Sequence, residues 1–258
     1  MTRVIMSGCC GRMGKCIVSM CDDPAKDCKI AAGVDITKGT GTEPYPIYEK
    51  ISDVTEEADV IIDFSFHGIT SEILAYAEKK NIPVVLCTTG HTPEELEEIK
   101  EYSKKVAIFK SANMSVGISL ITELCKRAAA LLGADYDIEL IEKHHNQKLD
   151  APSGTALMIA NAINNASDSS YEYIYDRSTR REKRGKKELG ISCVRAGTIV
   201  GEHEVIFGGR DEIITISHSA LSRDVFAAGA LRAGIYMSSS KKAPGIYDME
   251  KMLNEQFM

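Results

Sequence analysis

Apolar positions are spaced differently in the two halves of the chain. The first half carries short continuous runs: Val4-Ile5-Met6, Ile30-Ala31-Ala32-Gly33-Val34, Val60-Ile61-Ile62-Asp63-Phe64, Pro83-Val84-Val85-Leu86 and Val106-Ala107-Ile108-Phe109. Runs that are apolar at nearly every position suit strands covered on both faces. Residues 12–21 and 69–80, lying between such runs, read as helices. A third helix starts after Thr92, with Pro93 at its first position and Glu95 where a capping box requires an acid. Strands and helices in alternation predict βαβ units and a parallel, doubly wound sheet.

Beyond residue 116 the pattern changes. Residues 117–132 predict a long apolar helix. Residues 136–144 alternate, with Ile138, Leu140 and Glu142 on one face. Residues 153–163 are again helical, and three strand-like runs follow at 191–194, 204–207 and 213–217. Helices are predicted over 223–237 and 247–257. The fold class is therefore α/β, with a Rossmann-like parallel-sheet domain joined to an α+β domain whose sheet is mixed and largely antiparallel.

Composition narrows the function. The 31 basic and 37 acidic residues give a net charge of −6, which disfavours nucleic acid and membrane surfaces as partners. No apolar run approaches the ~18 residues of a membrane span, and the first residues do not read as a secretory leader. The eight cysteines include no C-x-x-C pair, so they are expected as reduced thiols in a cytoplasmic protein, with no metal site. Residues 167–188 gather Arg177, Arg180, Arg181, Lys183, Arg184, Lys186 and Lys187. This segment is expected to be a solvated, mobile loop, the alternative being a positive rim for an anionic ligand.

Two stretches carry chemistry. Ser7-Gly8-Cys9-Cys10-Gly11-Arg12-Met13-Gly14 joins the first strand to the first helix. Glycines there let the backbone approach a pyrophosphate at a helix N-terminus. Cys9 stands where the common dinucleotide fingerprint has glycine, so a glycine turn without ligand remains open. Asp35, 21 residues beyond Gly14, sits where an acid accepts hydrogen bonds from the adenosine ribose. No arginine follows it closely, which favours NADH over NADPH. The second stretch runs from Glu142 through His144, His145, Lys148 and Asp150 to Ser153-Gly154-Thr155. Histidine can move a proton near neutral pH, lysine can hold an anion, and a helix start offers N–H groups to a carboxylate. Metal ligation by the His pair and simple N-capping by Ser153 are the alternatives.

At these residues the chain resembles the 4-hydroxy-tetrahydrodipicolinate reductase (dihydrodipicolinate reductase) family over essentially its whole length. The signature E-x-H-H-x-x-K-x-D-A-P-S-G-T stands intact at 142–155, and G-x-x-G-R-M-G stands at 8–14. Cys87-Thr88-Thr89-Gly90 resembles the family's G-T-T-G, with Cys87 replacing glycine. Ser111-Ala112-Asn113-Met114-Ser115-Val116-Gly117 resembles A-x-N-x-S-x-G. Val194-Arg195-Ala196-Gly197 and Gly201-Glu202-His203 match its substrate-domain strands.

The resemblance implies a cytoplasmic NAD(P)H-dependent oxidoreductase of diaminopimelate and lysine biosynthesis, acting on a cyclic imine dicarboxylate. It implies a dinucleotide domain over 1–114 and 224–258, and a substrate and tetramerisation domain over 115–223. NADH or NADPH would be held by Gly8, Cys9, Cys10, Gly11, Arg12, Met13, Asp35, Cys87, Thr88, Thr89, Ser111, Ala112, Asn113 and Met114. His144 would donate the proton, aided by Lys148. His145, Ser153, Gly154 and Thr155 would hold the substrate carboxylates. A homotetramer is expected through the second sheet, with apolar strand surface in excess of what one helix covers, and hinges near 114–117 and 222–224. Another two-domain nicotinamide oxidoreductase would share the glycine turn but not the 142–155 run. A non-catalytic dinucleotide sensor would have no use for that run.

Overall fold

Val4, Ile5 and Met6 have no exposed surface, and neither do Val60, Ile61 and Ile62. These runs therefore form the centre of a sheet covered on both faces. The computed structural model describes residues 1–167, 171–240 and 242–257; residues 168–170 of the 167–188 segment lie outside the described residues. In chain order the first elements are β1 (Thr2–Ser7), α1 (Arg12–Cys21), β2 (Cys28–Val34), β3 (Ile47–Tyr48), β4 (Val60–Asp63), α2 (Thr70–Lys80), β5 (Val84–Leu86), α3 (Pro93–Tyr102) and β6 (Ala107–Lys110). Next come α4 (Val116–Leu132), β7 (Asp137–His144), α5 (Gly154–Ala166), β8 (Glu172–Ile174), β9 (Glu188–Arg195), β10 (Gly201–Gly208) and β11 (Ile213–Ala220). The chain closes with α6 (Asp224–Ser238), β12 (Gly245–Tyr247) and α7 (Met249–Phe257).

The chain divides into two compact units, Met1–Ser115 with Asp224–Met258, and Val116–Arg223. The first holds a seven-stranded parallel sheet in the order β12-β6-β5-β4-β1-β2-β3. Its α3 opens with the expected capping box between Thr92 and Glu95. Tyr247, expected to begin the last helix, instead ends β12, where it pairs with Phe109.

The second unit holds the sheet β11-β10-β7-β9-β8. Pairing is antiparallel from β7 through β10 to β11 and parallel from β7 through β9 to β8. Residues 191–194, expected in an antiparallel run, thus lie in a strand parallel to β7. One face carries Ile138, Leu140, Ile191, Val205 and Phe207, packed beneath Ile118, Ile121 and Cys125 of α4 and Ile159 and Ile163 of α5. Of the apolar residues expected to be in excess, Ile191, Val205 and Phe207 are therefore core, whereas Val194, Ile213 and Ile214 stay exposed. By register the opposite face carries Ile141, Val194, Ile206 and Ile213. It also carries polar groups, including the ion pair of Lys143 with Glu202 at 2.9 Å.

Five of the seven cations of the basic segment are exposed, as expected of a solvated loop, but three of the seven are paired. Arg184 donates from Nε to Glu139 at 3.0 Å and from Nη1 to Asp137 at 2.9 Å. Its Nη2 donates to the Ile138 carbonyl at 2.9 Å and also to that of Glu188. Arg177 pairs with Glu188, and Arg180 lies 3.7 Å from the same carboxylate. Three of the seven cations thus fasten the segment to β7 and β9 rather than forming a free rim.

Candidate active site

Period-two alternation along β7 puts Ile138, Leu140, Glu142 and His144 on the covered face, the last two beyond the apolar core. Directly paired residues share a face. The register therefore sets Cys193 and His203 on either side of Glu142, with His218 beyond His203, and Arg195 beside His144. A row of titratable side chains crosses the sheet at its end.

Glu142 is fully buried and saturated with donors. Arg195 donates from Nη1 at 2.9 Å and Nη2 at 2.7 Å, and the Ser153 N–H donates at 3.1 Å. His144 Nδ1 lies 2.5 Å from the same carboxylate. Burial alone would raise the Glu142 pKa, but Arg195 and His144 outweigh it and hold the group at about 2. For His144, burial pushes the pKa below the usual imidazole value against the pull of Glu142. With Nδ1 committed to Glu142, Nε2 is the nitrogen left for chemistry. Gly201 lies beside it: a Cβ at that position would stand 3.2 Å from Nε2.

Arg195 Nη2 also donates to the Asp150 carbonyl at 2.6 Å, which ties the loop after β7 to β9. In that loop Lys148 Nζ lies 2.9 Å from Asp150 Oδ1. Lys148, then its own N–H and that of Gly154, hold the Asp150 carboxyl below the usual range although burial opposes them. An exposed carboxylate of this chain thus already sits between Lys148 and the start of α5. His145 is half-buried, and its carbonyl accepts the Lys148 N–H at 3.2 Å. Ser153 is buried: its Oγ caps α5 by accepting the Ala156 N–H at 3.1 Å and lies 3.3 Å from His203 Nε2. Gly154 is exposed and Thr155 half-buried in the first turn.

His203 was not singled out by sequence reasoning. It is 4 % exposed, its ring lies edge-on to His144 at 5.2 Å, and burial takes its pKa down to about 4. Its signal was the Gly201-Glu202-His203 triplet, and the partner became visible only through the β7–β10 register.

The first unit carries the glycine turn. Gly8 has φ +80°, and a Cβ there would stand 2.7 Å from the Phe64 carbonyl oxygen. A Cβ on Gly14 would come within 2.1 Å of the Gly8 carbonyl oxygen. Gly11 caps α1 without a side chain, and no acidic residue stands in the first turn. Those N–H groups and the helix dipole suit a phosphate. Arg12 is exposed at the helix start, and Cys10 and Met13 are half-buried. Cys9 is buried; burial, then Cys10, raises its thiol to about 12. Asp35, just past β2, accepts the Cys10 N–H at 2.9 Å and the Thr37 N–H at 2.8 Å, so its carboxylate borders the turn. Beside it a cavity of about 430 Å³ is lined by Asp35, Ile36, Lys38, Glu43, Tyr45 and Glu49, among others. The residues present fit a dinucleotide: a turn open only to glycine, a helix start without a side-chain cap and an acid at its rim.

The remaining cofactor candidates stand at the C-terminal ends of β5 and β6, where ligands of parallel sheets bind. Thr88 Oγ1 donates to the buried Asp63 at 2.6 Å, while Thr89 is exposed. The Cys87 thiol is raised by burial. Ser111 Oγ donates to the Asn113 carbonyl at 3.0 Å, and Asn113 Oδ1 accepts the Ser115 N–H at 2.7 Å. Ala112 is exposed and Met114 buried. Asp63, the last residue of β4, and Lys110, the last of β6, were both missed from sequence; burial lowers the Lys110 pKa.

Two family models together cover nearly the whole chain. The family model described as "Dihydrodipicolinate reductase, N-terminus" matches residues 2–114, and "Dihydrodipicolinate reductase, C-terminus" matches residues 117–253. The 4-hydroxy-tetrahydrodipicolinate reductase of Caldanaerobacter subterraneus subsp. tengcongensis is 49% identical over 255 residues, covering 99% of each chain. That of Clostridium tetani is 47% identical over 254 residues, covering 98% of each. Among solved structures, a dipicolinate-bound dihydrodipicolinate reductase from Paenisporosarcina sp. TG-14 superposes with a TM-score of 0.79 at 24% identity, covering 96% of this chain and 97% of that one.

Proposed function

The chain belongs to the dihydrodipicolinate reductase family, NAD(P)H-dependent enzymes that reduce 4-hydroxy-tetrahydrodipicolinate to tetrahydrodipicolinate with loss of water, and from that membership we propose which of its residues do the work. The observation that carries the proposal is the Glu142–His144 contact at 2.5 Å, locked by Arg195.

When bound, NAD(P)H would supply the hydride. His144 supplies the proton. Glu142 fixes its Nδ1–H, so a second proton on the ring sits at Nε2, next to Gly201. Burial keeps the ring neutral until a dianionic substrate arrives and raises its pKa. Lys148 stabilises negative charge on substrate and intermediate. To do so it leaves Asp150 or shares itself with it. His145 and the first-turn groups of Gly154 and Thr155 hold the carboxylates. Ser153 acts through the structure: its N–H fixes Glu142 and its hydroxyl fixes α5.

Gly8, Cys9, Cys10, Gly11, Arg12 and Met13 cradle the pyrophosphate, and Asp35 accepts the adenosine ribose hydroxyls. Cys87, Thr88, Thr89, Ser111, Ala112, Asn113 and Met114 line the nicotinamide side. NADH is the preferred coenzyme. Three carboxylates, Asp35, Glu43 and Glu49, face the cavity beside Asp35 against one lysine, Lys38, a poor setting for a 2′-phosphate. The enzyme works in the cytoplasm, where its eight thiols stay reduced, and it assembles as a homotetramer through the second sheet.

The test is turnover of freshly made 4-hydroxy-tetrahydrodipicolinate with NADH and NADPH, followed at the nicotinamide absorbance. The Kd for NADH is expected to be the lower, and Asp35→Ala is expected to weaken NADH and move the Kd ratio towards NADPH. An unchanged ratio removes Asp35 from the ribose.

A further inference from the structure

Two adjacent thiols in a nucleotide turn are not needed to hold a pyrophosphate; backbone N–H groups do that. Here they face a carboxylate. Cys9 Sγ and Cys10 Sγ lie 3.9 Å apart. One ligand atom each from Cys9, Cys10 and Asp35 falls within 4.8 Å of the other two. A tetrahedral zinc centre with bonds of about 2.3 Å to sulfur sets its sulfurs roughly 3.8 Å apart. The thiols therefore already stand at the spacing of one tetrahedral edge. The third ligand reaches the turn from the end of β2, which explains why C-x-x-C spacing could not reveal it.

We propose that Cys9, Cys10 and Asp35 form a binding site for a soft divalent cation of the zinc and cadmium class. Thiolate and carboxylate together select such a cation over magnesium or calcium. The Thr37 carbonyl, which accepts a hydrogen bond from Cys10 Sγ at 3.4 Å, borders the site. Binding forms two metal–sulfur bonds and one metal–oxygen bond and releases the two thiol protons to solvent, with no change of oxidation state. Cys10 and Asp35 are half-buried, which leaves an entry path, while Cys9 anchors the inner side.

The same carboxylate is assigned above to the adenosine ribose. The ion and the dinucleotide then compete, a coupling that rests on that assignment, whereas the site itself does not. Cys21 and Cys28 make a second close pair, with Sγ atoms 3.4 Å apart. Among the described residues that pair lacks a third histidine, cysteine or carboxylate ligand within reach. It serves as an internal control.

The experiment titrates the reduced, dinucleotide-free full chain with Cd²⁺ and reads the cadmium–thiolate charge-transfer band and the protons released. One equivalent is expected to saturate the band and to release two protons. Cys10→Ser and Asp35→Asn are each expected to raise the Kd roughly tenfold or more, and Cys21→Ser to leave it unchanged. A band insensitive to Cys10→Ser, or one lost in Cys21→Ser, overturns the site. Prior saturation with NADH is expected to raise the apparent Kd for Cd²⁺. A site that depends on Cys10 but ignores NADH upholds the metal proposal and overturns the placement of the ribose on Asp35.

Discussion

A carboxylate without exposed surface stays ionised only where donors replace the water it has lost, and Glu142 receives them from Arg195, Ser153 and His144. The carboxylate in turn determines which nitrogen of His144 is free to act. His144→Gln keeps a polar side chain but loses the mobile proton. The expected loss in kcat is about 10²–10⁴-fold with NADH affinity retained, and a variant at wild-type kcat would remove His144 from the acid role. The same row sets the acid limit of the fold. His203 has a usual value of 6.5 and a folded value of about 4, so below pH 6.5 the unfolded chain takes up a proton that the fold refuses. That contribution to stability is lost as pH falls from 6.5 to about 4. His144 and His218, also lowered by burial, share the upper part of the window. Glu142 acts lower: its contribution is complete above its usual 4.5 and disappears as pH falls towards about 2. Tm measured against pH should decline in these two stages. His203→Gln should make the upper one shallower, and a profile superimposable on the parent's would contradict this account.

At the scale of elements, Arg184 joins what the β7 and β9 ladders alone would leave to backbone pairing. A charge-assisted hydrogen bond contributes roughly 1.5–3 kcal/mol. Arg184→Ala is therefore expected to lower the Tm by several degrees with little change in NADH binding, which calorimetry and a fluorescence titration would separate; an unchanged Tm would make the clamp ornamental. Elements with a distinct local pattern were legible from the amino acids alone: the continuous apolar runs of β1 and β4, the capping box of α3 and the alternation of β7. The two residues of β3 and the three each of β8 and β12 carry no period to read. The direction of β9 was hidden for another reason. It depends on the crossover from β7 through α5, not on the residues of the strand. The candidate site divides in the same way. His144, Lys148 and the helix start after Ser153 are close in sequence and could be read together. Glu142–Arg195 depends on the β7–β9 register and Ser153–His203 on the β7–β10 register together with the Ser153 N–H to Glu142, across 53 and 50 positions of chain.

At the scale of the whole molecule, the second sheet exposes Ile213 at 72 % near one end of β11 and the half-exposed Val194 near the opposite end of β9, with Ile206 and Ile141 on the diagonal between them in the register. Covering such a face in a partner removes an aggregation hazard. Light scattering at micromolar protein is expected to report about four times the 28.2 kDa of one chain, and the mass of a single chain would dismiss the tetramer. The first unit is built from both ends of the polypeptide, with Val116–Arg223 inserted between them. Helix α6, which packs on β1, β4, β5 and β6, and strand β12, which extends the sheet, both belong to the later segment. A ribosome therefore delivers the inserted unit whole while the earlier sheet still lacks the helix that shields its apolar face. During that interval the nascent chain carries one finished unit and one that cannot close, and any demand for chaperones falls between the emergence of β6 and that of α6.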